Sequence, residues 1–298
     1  MRQIVFASGK GGTGKTTLTA LMALSAAAEM RLVLADCDVE AANLPIAMRA
    51  EVAGREGLAR GSRAVIDPDL CRGCGACQVV CRFDAIAPRD DFYRSRSFVV
   101  DPWSCEGCGA CVPECLDGAI SMHSQQAGEV VSATTSVGPM VFGQLAPGED
   151  LSGKLVTEVR SRAAAAADET AADLLLLDGP PGVGCPAIAS ITNTDLLVAV
   201  TEPTLSGEHD LMRLVLLARR LTVPVGVVLN KADLSGPGAE RIRSRVAAEG
   251  VPLVGEIPFD PELAGLLAAL ASGVEPGSLN SPGLDAARAV WEALASGL

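Results

Sequence analysis

Eight of the ten cysteines in this chain lie close together in the sequence. They form two runs in which two, two and three residues separate successive cysteines: Cys71, Cys74, Cys77 and Cys81, then Cys105, Cys108, Cys111 and Cys115. The second run begins 34 residues after the first, and nine of the sixteen positions that start at the first cysteine match their copies. Thiolates are soft donors, and closely spaced ones favour iron–sulfur clusters. Zinc is the main alternative, although zinc sites rarely show this spacing.

A second chemical motif is a glycine-rich loop near the N-terminus. It fits the pattern G-x-x-x-x-G-K-[ST], and its residues are Gly9, Lys10, Gly11, Gly12, Thr13, Gly14, Lys15 and Thr16, followed by Thr17. The glycines let successive backbone N–H groups turn toward a phosphate, Lys15 neutralises the β- and γ-phosphate oxygens, and the Thr16 hydroxyl can ligate Mg²⁺. A predicted strand precedes the loop and a predicted helix follows it, as this motif requires. We therefore predict that these residues bind a nucleoside triphosphate with Mg²⁺.

The form K-G-G-T-G-K-T, which begins at Lys10, resembles the deviant Walker A motif of the MinD/ParA/Mrp ATPases and of the nitrogenase iron protein. The resemblance implies a MinD-like α/β fold with a parallel sheet, and ATP as the nucleotide. In that family the extra lysine reaches across a nucleotide-sandwich dimer to the partner's phosphates. The resemblance thus implies catalytic roles for Lys10 and Lys15 in a homodimer, or in a heterodimer with a paralogue.

Three aspartates extend this resemblance. Asp36 and Asp38 follow the second predicted strand, and Asp178 follows the apolar run Leu174 to Leu177. By resemblance, Asp36 holds the water shell of Mg²⁺, Asp38 positions or activates the attacking water, and Asp178 reaches Mg²⁺ through water. The same resemblance places Gly182 near the γ-phosphate. Carboxylates here can accept a proton or orient a water, whereas a helix cap or a solvated loop acid is the alternative.

The segment that starts at Asn230 is ambiguous between two nucleotide bases. Asn230, Lys231, Ala232 and Asp233 form the sequence N-K-x-D, which reads guanine in many GTPases through its aspartate. In MinD-like ATPases an asparagine at this place reads adenine instead, and Pro258 fits a residue that packs on the base. We favour ATP because the Lys10-type phosphate loop belongs to ATPases.

The cysteine runs strongly resemble bacterial-type ferredoxins that carry two [4Fe–4S] clusters. In those proteins the fourth cysteine of each run ligates the other cluster. The resemblance therefore implies one cluster on Cys71, Cys74, Cys77 and Cys115, and a second on Cys105, Cys108, Cys111 and Cys81. Proline usually follows the fourth cysteine, but Arg82 and Leu116 stand at these positions here.

Two cysteines lie outside these runs. Cys37, between two of the aspartates, is predicted to be a small buried residue. Cys185 follows Asp178 by seven residues, near the place where the nitrogenase iron protein carries a ligand of its bridging cluster. No cysteine lies between Cys115 and Asp178 to supply the second ligand of such a cluster. A packed thiol is therefore the expected state of Cys185.

The elements that position these motifs alternate between strands and helices. Short apolar runs are predicted as strands at residues 3–7, 31–35, 130–137, 173–177, 196–201, 225–229 and 253–257. Helices are predicted at residues 16–30 and 153–167, and this alternation indicates a parallel sheet covered on both faces. The nucleotide motifs lie on both sides of the cysteine-rich segment. We therefore predict a discontinuous ATPase domain of residues 1–63 and 125–298, with a small α+β ferredoxin module inserted at residues 64–124.

Composition restricts the function further. The net charge is −12, which argues against a general nucleic-acid binder because phosphate backbones attract basic surfaces. No apolar run approaches the roughly 18 residues of a membrane span, and no signal peptide precedes the first strand, so a cytoplasmic location is expected.

The C-terminal segment places Leu284, Ala287, Trp291, Leu294 and Leu298 on one helical face. Its basic content is a single arginine, so docking on the core is favoured over membrane binding.

Three functions remain compatible with these motifs. The first is an ATPase in which a nucleotide-driven dimer cycle is coupled to electron transfer through two clusters to a redox partner protein. The second is an iron–sulfur cluster carrier or scaffold of the Mrp type. The third is a spatial regulator like MinD or ParA. The eight cysteines in a ferredoxin pattern favour permanent clusters, and therefore the first function.

Overall fold

The computed structural model describes residues 1–89, 97–274 and 279–296. Within these ranges the strands are β1 (Arg2–Ser8), β2 (Leu32–Asp36), β3 (Glu51–Ile66), β4 (Ile86–Arg89), β5 (Ser97–Val100), β6 (Ile120–Thr135), β7 (Gly138–Leu145), β8 (Leu174–Pro181), β9 (Leu196–Thr201), β10 (Val225–Asn230) and β11 (Leu253–Ile257). The helices are α1 (Lys15–Ala26), α2 (Leu44–Ala47), α3 (Ala76–Val80), α4 (Ser152–Glu169), α5 (Cys185–Ile191), α6 (Leu205–Arg220), α7 (Gly236–Ala248), α8 (Pro261–Ala271) and α9 (Pro282–Ala295).

Nine strands form one sheet in the order β11-β10-β9-β1-β8-β2-β7-β6-β3. The seven strands from β11 to β7 are parallel to their neighbours, and β6 pairs with β7 in the antiparallel direction. The central strands β1, β2 and β8 are almost entirely apolar and buried, as expected of a parallel sheet covered on both faces. The predicted α/β fold with a mostly parallel sheet is therefore confirmed.

Aliphatic side chains build most of the core. The largest fully buried side chains are mainly leucines, and the scarcity of aromatic residues is made up by closely packed small ones such as Ala20, Ala23 and Ala26 on α1. Helix α9 docks on this core, because Leu284, Ala287, Val290, Trp291 and Leu294 are each at most 6% exposed. Leu298 lies outside the described residues. No helix in the described ranges is long and apolar enough to cross a membrane.

The chain divides into two compact units, residues 1–56 with 128–298 and residues 57–127. In the second unit the antiparallel pair β4 and β5 and the short helix α3 contribute to a small apolar cluster. This cluster includes Ala64, Ile86, Phe98 and Ile120 together with buried Cys77 and Cys111. The division falls inside the long strands β3 and β6, a few residues from the boundaries predicted at residues 63–64 and 124–125.

The edge of the main sheet departs from the sequence prediction. Residues 51–66, which are not among the predicted strands, form β3, and its side chains are largely exposed. The single strand predicted at residues 130–137 covers the end of β6, which stops at Thr135, and a two-residue turn that leads into β7 at Gly138. Charged and glycine-rich edge strands lack the buried apolar pattern from which strands are predicted.

Candidate functional site

Five parallel strands bring the predicted nucleotide residues to one edge of the main sheet. The phosphate loop follows β1, Asp36 ends β2, Asp178 lies in β8, Asn230 ends β10, and Pro258 follows β11. Asp178 pairs in register with both Phe6 and Asp36 on its neighbouring strands. Ligands of open α/β sheets bind at this carboxyl edge, and the topology brings the predicted residues together there.

The phosphate loop is fastened by Asn230. Its side-chain Nδ2 donates to the Thr13 carbonyl at 2.8 Å, and its Oδ1 accepts from the Lys231 backbone N–H at 3.0 Å. Gly14 has a φ of 91°, and a Cβ at this residue would lie 2.3 Å from Asn230 Nδ2. Only glycine satisfies both the left-handed backbone and this close approach.

A buried cluster of polar side chains lies at the start of α1. Lys15 Nζ is 2.7 Å from Asp178 Oδ1, and the Thr16 hydroxyl donates to Asp178 Oδ2 at 2.6 Å. The Thr19 hydroxyl donates to Asp178 Oδ1 at 3.1 Å. Burial lowers the pKa of Lys15, but the hydrogen bond to Asp178 and the attraction of the Asp178, Asp36 and Asp38 carboxylates together outweigh this effect, and the pKa of Lys15 is raised overall. The lysine is therefore held as a cation.

Asp36 and Asp38 lie beside this cluster in different environments. Asp36 is fully buried and accepts from the backbone N–H groups of Asp38 and Leu44 at 2.9 and 3.1 Å. Burial, reinforced by the nearby Asp178 carboxylate, raises the pKa of Asp36 well above its usual value. Burial also raises the pKa of Asp38, which lines the open cavity. The carboxyl groups here outnumber the single buried lysine, and a divalent cation would balance their negative charge.

The phosphate loop borders a cavity of about 380 Å³, within the size range of small-molecule sites. Its polar wall includes residues from Gly11 to Thr17 with Asp38, Asn43, Asn230 and Lys231. The Thr13 hydroxyl is buried and has no hydrogen-bond partner in the part of the chain that the structure describes. The residues present therefore fit a phosphate-bearing ligand.

Another wall of this cavity is apolar. It is formed by Pro258, Phe259 and one face of α8, which contributes Leu263, Ala264 and Leu267. Asp233 Oδ1 accepts from the Phe259 backbone N–H at 2.6 Å, so this carboxylate fastens the loop that carries the wall. The apolar residues of α8 were not singled out from the sequence, since their spacing is that of any amphipathic helix.

Lys10 makes contacts that the sequence did not predict. Its Nζ forms an ion pair with Glu202, and it donates to the hydroxyls of Thr204 and Ser206 at 3.3 and 3.2 Å. Glu202 directly follows β9, at the same sheet edge as the phosphate loop. The position of Glu202 directly after a parallel strand was the sequence feature that could have indicated its place at the site.

The eight clustered cysteines line two separate cavities within the 57–127 unit. One is lined by Cys71, Cys74, Cys77 and Cys115, and the other by Cys81, Cys105, Cys108 and Cys111. The fourth cysteine of each run thus lies with the first three of the other run. This grouping matches the pairing that the resemblance to two-cluster ferredoxins implied, while the ligation itself stays a prediction.

The loops around these cavities repeat in structure as well as in sequence. Gly73 and Gly75 have φ values of 71° and 81°, and their copies Gly107 and Gly109 have 68° and 73°. Left-handed residues between cysteines let a short loop turn its thiols toward one point. Within the described ranges, no three His, Cys, Asp or Glu side chains form a site for one metal ion. Four soft thiols around each cavity suit a larger iron–sulfur cluster.

The two remaining cysteines have opposite surroundings. Cys37 is fully buried at the end of β2, and burial raises the pKa of its thiol. This agrees with the small buried residue predicted from the sequence. Cys185 starts α5 and is exposed, so it is not the packed thiol that we expected. Gly153 of α4 is its neighbour, and a Cβ there would lie 3.2 Å from the Cys185 Cβ.

A parallel α/β sheet with a phosphate loop after its first strand defines a P-loop nucleotide-binding protein. The profile of the CobQ/CobB/MinD/ParA nucleotide binding domain matches residues 4–269. The chain belongs to this family.

The similar proteins include two uncharacterized proteins of Methanocaldococcus jannaschii. MJ0578 is 34% identical over 234 residues, which are 78% of this chain and 79% of the relative. MJ0579 is 28% identical over 261 residues, with 79% and 82% covered. The iron-sulfur cluster carrier protein of Mycobacterium bovis is 41% identical over 130 residues, but these cover only 37% of this chain and 32% of the relative.

Solved structures share the fold at low sequence identity. The septum site-determining protein MinD of Pyrococcus horikoshii, complexed with Mg-ADP, superposes with a TM-score of 0.58 at 18% identity. The alignment covers 98% of this chain and 95% of that one. McdA of Cyanothece gives a TM-score of 0.58, also at 18% identity and over 99% of each chain. The MinD-like fold is thus established for this chain.

Proposed function

We propose that this protein is an ATPase in which a nucleotide-driven dimer cycle is coupled to electron transfer through two [4Fe–4S] clusters. One observation carries the proposal: a single chain holds both a complete phosphate-loop site and two cavities that are each lined by four cysteines. Membership of the MinD/ParA family supports the ATPase part. The cysteine geometry supports the redox part.

The phosphate-loop residues supply positioning and charge. Backbone N–H groups from Gly9 to Thr16 cradle the phosphates, and Lys15 balances the charge that develops on the β/γ bridge. Mg²⁺ would be held by the Thr16 hydroxyl with Asp36 and Asp178, where it neutralises the phosphate oxygens. Asp38 borders the cavity and orients the attacking water, and its raised pKa makes it a better proton acceptor.

The base of ATP occupies the apolar end of the cavity. Pro258 and Phe259 present an apolar surface to the adenine ring, in a loop that Asp233 fastens. With Asp233 Oδ1 engaged by the Phe259 N–H, this aspartate is less suited to bind guanine. Asn230 serves the site by fixing the Thr13 carbonyl. This arrangement favours ATP over GTP.

The cluster ligands are the two sets of four cysteines that line the separate cavities. Clusters of this type exchange one electron at a time. A cytoplasmic redox partner protein would supply or accept these electrons. Nucleotide binding and cluster oxidation both act on one polypeptide. Any difference in nucleotide affinity between the reduced and the oxidised protein therefore works in both directions: oxidation state changes nucleotide affinity, and nucleotide binding shifts the oxidation state.

Dimer formation gives Lys10 its second role. In the proposed closed dimer the Lys10 side chain leaves its contacts within its own chain and binds the phosphates held by the partner chain. It is only about one-third exposed in the single chain and already engages Glu202, so closure requires this contact to break. The partner is a second copy of this chain or a paralogue.

The decisive experiment uses protein purified anaerobically. We expect about eight irons per chain, Mg·ATP binding, and an ATPase rate that differs between the reduced and the oxidised protein. Iron-free protein that binds no nucleotide would refute the proposal as a whole. Equal rates and equal nucleotide affinities in the two oxidation states would refute the coupling and leave the ATPase in place.

Iron–sulfur cluster transfer is the second candidate function. The 41% identity to a Mycobacterium bovis iron-sulfur cluster carrier protein over part of the chain favours it. Incubation with an apo-ferredoxin separates the two candidates, because a carrier loses its clusters to the acceptor within minutes. Retention of the clusters, as four cysteines committed to each cavity would give, favours electron transfer.

A spatial regulator of the MinD or ParA type is the third candidate, and the shared fold is its support. Helix α9 buries its apolar face in the core instead of offering it to a membrane. Co-sedimentation with anionic liposomes in the presence of Mg·ATP tests this candidate. Binding would favour it over the electron-transfer function.

A further inference from the structure

Glu202 engages two lysines at the rim of the phosphate loop. It forms an ion pair with Lys10, and its second carboxylate oxygen, Oε2, lies 3.3 Å from Lys231 Nζ. Lys231 also donates to the Gly12 carbonyl at 2.9 Å, so this group of charges is directly attached to the loop. The Glu202 side chain is only 16% exposed. Neither Glu202 nor Lys231 has a role in the nucleotide chemistry described above.

A carboxylate at this position is unusual on physical grounds. A site for a polyanion gains affinity from cations, whereas a nearby anion repels the phosphates and occupies the cations they need. Partial burial raises the pKa of Glu202, but hydrogen bonds from Lys10 and Lys231 outweigh it and the pKa is lowered overall. Glu202 is therefore an anion at neutral pH.

We propose that Glu202 is a positioning residue that acts as a displaceable counter-ion. It holds the Lys10 side chain against its own chain until a nucleoside triphosphate competes for that lysine. This inference rests on the proposed ATPase function and adds a residue that sets its nucleotide affinity. In the absence of nucleotide the carboxylate balances the positive charge of Lys10 and restrains its side chain beside Thr204 and Ser206. Triphosphate binding must then break one ion pair before Lys10 can contact phosphate.

The contact predicts that the Glu202→Gln variant binds nucleotide more tightly, whereas most substitutions near a binding site weaken binding. Glutamine keeps the size of the side chain and one acceptor oxygen but removes the charge that competes with phosphate. We expect the Kd for a Mg-bound non-hydrolysable ATP analogue to fall about fivefold, which is the scale of a partly exposed ion pair. Glu202→Asp, which keeps the charge, should bind the analogue with nearly wild-type affinity.

A double-mutant cycle shows whether the effect passes through Lys10. In the Lys10→Ala background the Glu202→Gln change should tighten binding much less, because the competition for Lys10 is gone and only the direct repulsion of phosphate is relieved. Glu208→Gln serves as the charge-matched control, since Glu208 pairs with Arg241 away from the nucleotide cavity. It should bind the analogue like the wild type.

The possible outcomes are distinct. Unchanged or weaker binding by Glu202→Gln, or tightening of the same size without Lys10, overturns the inference while the wild-type protein still binds Mg·ATP. Wild-type protein that binds no nucleotide refutes the proposed function itself, and the inference with it. Measurement by isothermal titration calorimetry under anaerobic conditions gives all the affinities on one scale.

Discussion

The Lys15 ammonium lies 2.7 Å from the Asp178 carboxylate, and both side chains are almost fully buried. The pair joins the first turn of α1 to the centre of β8, two elements that are 163 residues apart in sequence. Asp178 also accepts hydrogen bonds from Thr16 and Thr19. One carboxylate thus organises the start of the helix on which the phosphate site is built.

Removal of the Asp178 carboxylate should destabilise the protein as well as abolish nucleotide binding. Asp178→Ala leaves Lys15 as a buried cation without this partner, which costs about 3–5 kcal/mol of unfolding free energy. Urea unfolding in the absence of nucleotide measures this loss. The double variant Lys15→Met/Asp178→Ala removes both charges and should regain most of the stability without regaining ATP binding. Equal stability of Asp178→Ala and the wild type would contradict the ion pair.

Asn230 should act on the phosphate loop and not only on the base. In Asn230→Ala the Thr13 carbonyl loses its side-chain donor, and a buried polar group without a partner costs about 1–3 kcal/mol. We expect a lower thermal midpoint without nucleotide and weaker binding of both ATP and ADP. Asn280→Ala, at an exposed position, is the control and should change neither quantity. A variant that loses affinity for ATP while keeping wild-type stability would show that Asn230 contacts only the base.

The sequence predicted those parts of the protein whose residue pattern is local. The strands β9 and β11 lie at the predicted residues, and both the phosphate loop and the cysteine repeat are short motifs with a fixed spacing. The contacts of Glu202 could not be predicted, because its partners Lys10 and Lys231 are brought together only by the strand order. The exposed edge strand β3 was missed for a similar reason. An exposed strand is held by pairing with a neighbour that its own sequence does not specify.

Thiol alkylation should distinguish three classes of cysteine. Cys185 is exposed and should react in the protein as purified, whereas buried Cys37, with its raised pKa, should react only after unfolding. Cys74 and Cys108 are exposed in the structure, yet they should be protected while the clusters are bound. After the clusters are removed with ferricyanide and EDTA and the protein is reduced, both should react. Iodoacetamide labelling followed by peptide mass spectrometry measures all four, and labelling of Cys74 before cluster removal would argue against its ligation.

The grouping of the fourth cysteines predicts which double variants keep a cluster. Cys81 lines the same cavity as Cys105, so Cys81→Ala/Cys105→Ala should disrupt one cluster and leave the other, with about four irons per chain. Cys71→Ala/Cys81→Ala removes one ligand from each set and should damage both clusters, although both cysteines belong to the same sequence run.

Pairing within each run, the alternative to this crossed arrangement, predicts the reverse result for both variants. Iron and sulfide analysis after anaerobic purification, together with the electron paramagnetic resonance signal of the dithionite-reduced proteins, decides between the two arrangements. Both variants lose two thiols, so each serves as the matched control for the other. Four irons in Cys71→Ala/Cys81→Ala, with fewer in Cys81→Ala/Cys105→Ala, would overturn the crossed assignment, because four ligands of one intact cluster would then come from a single run.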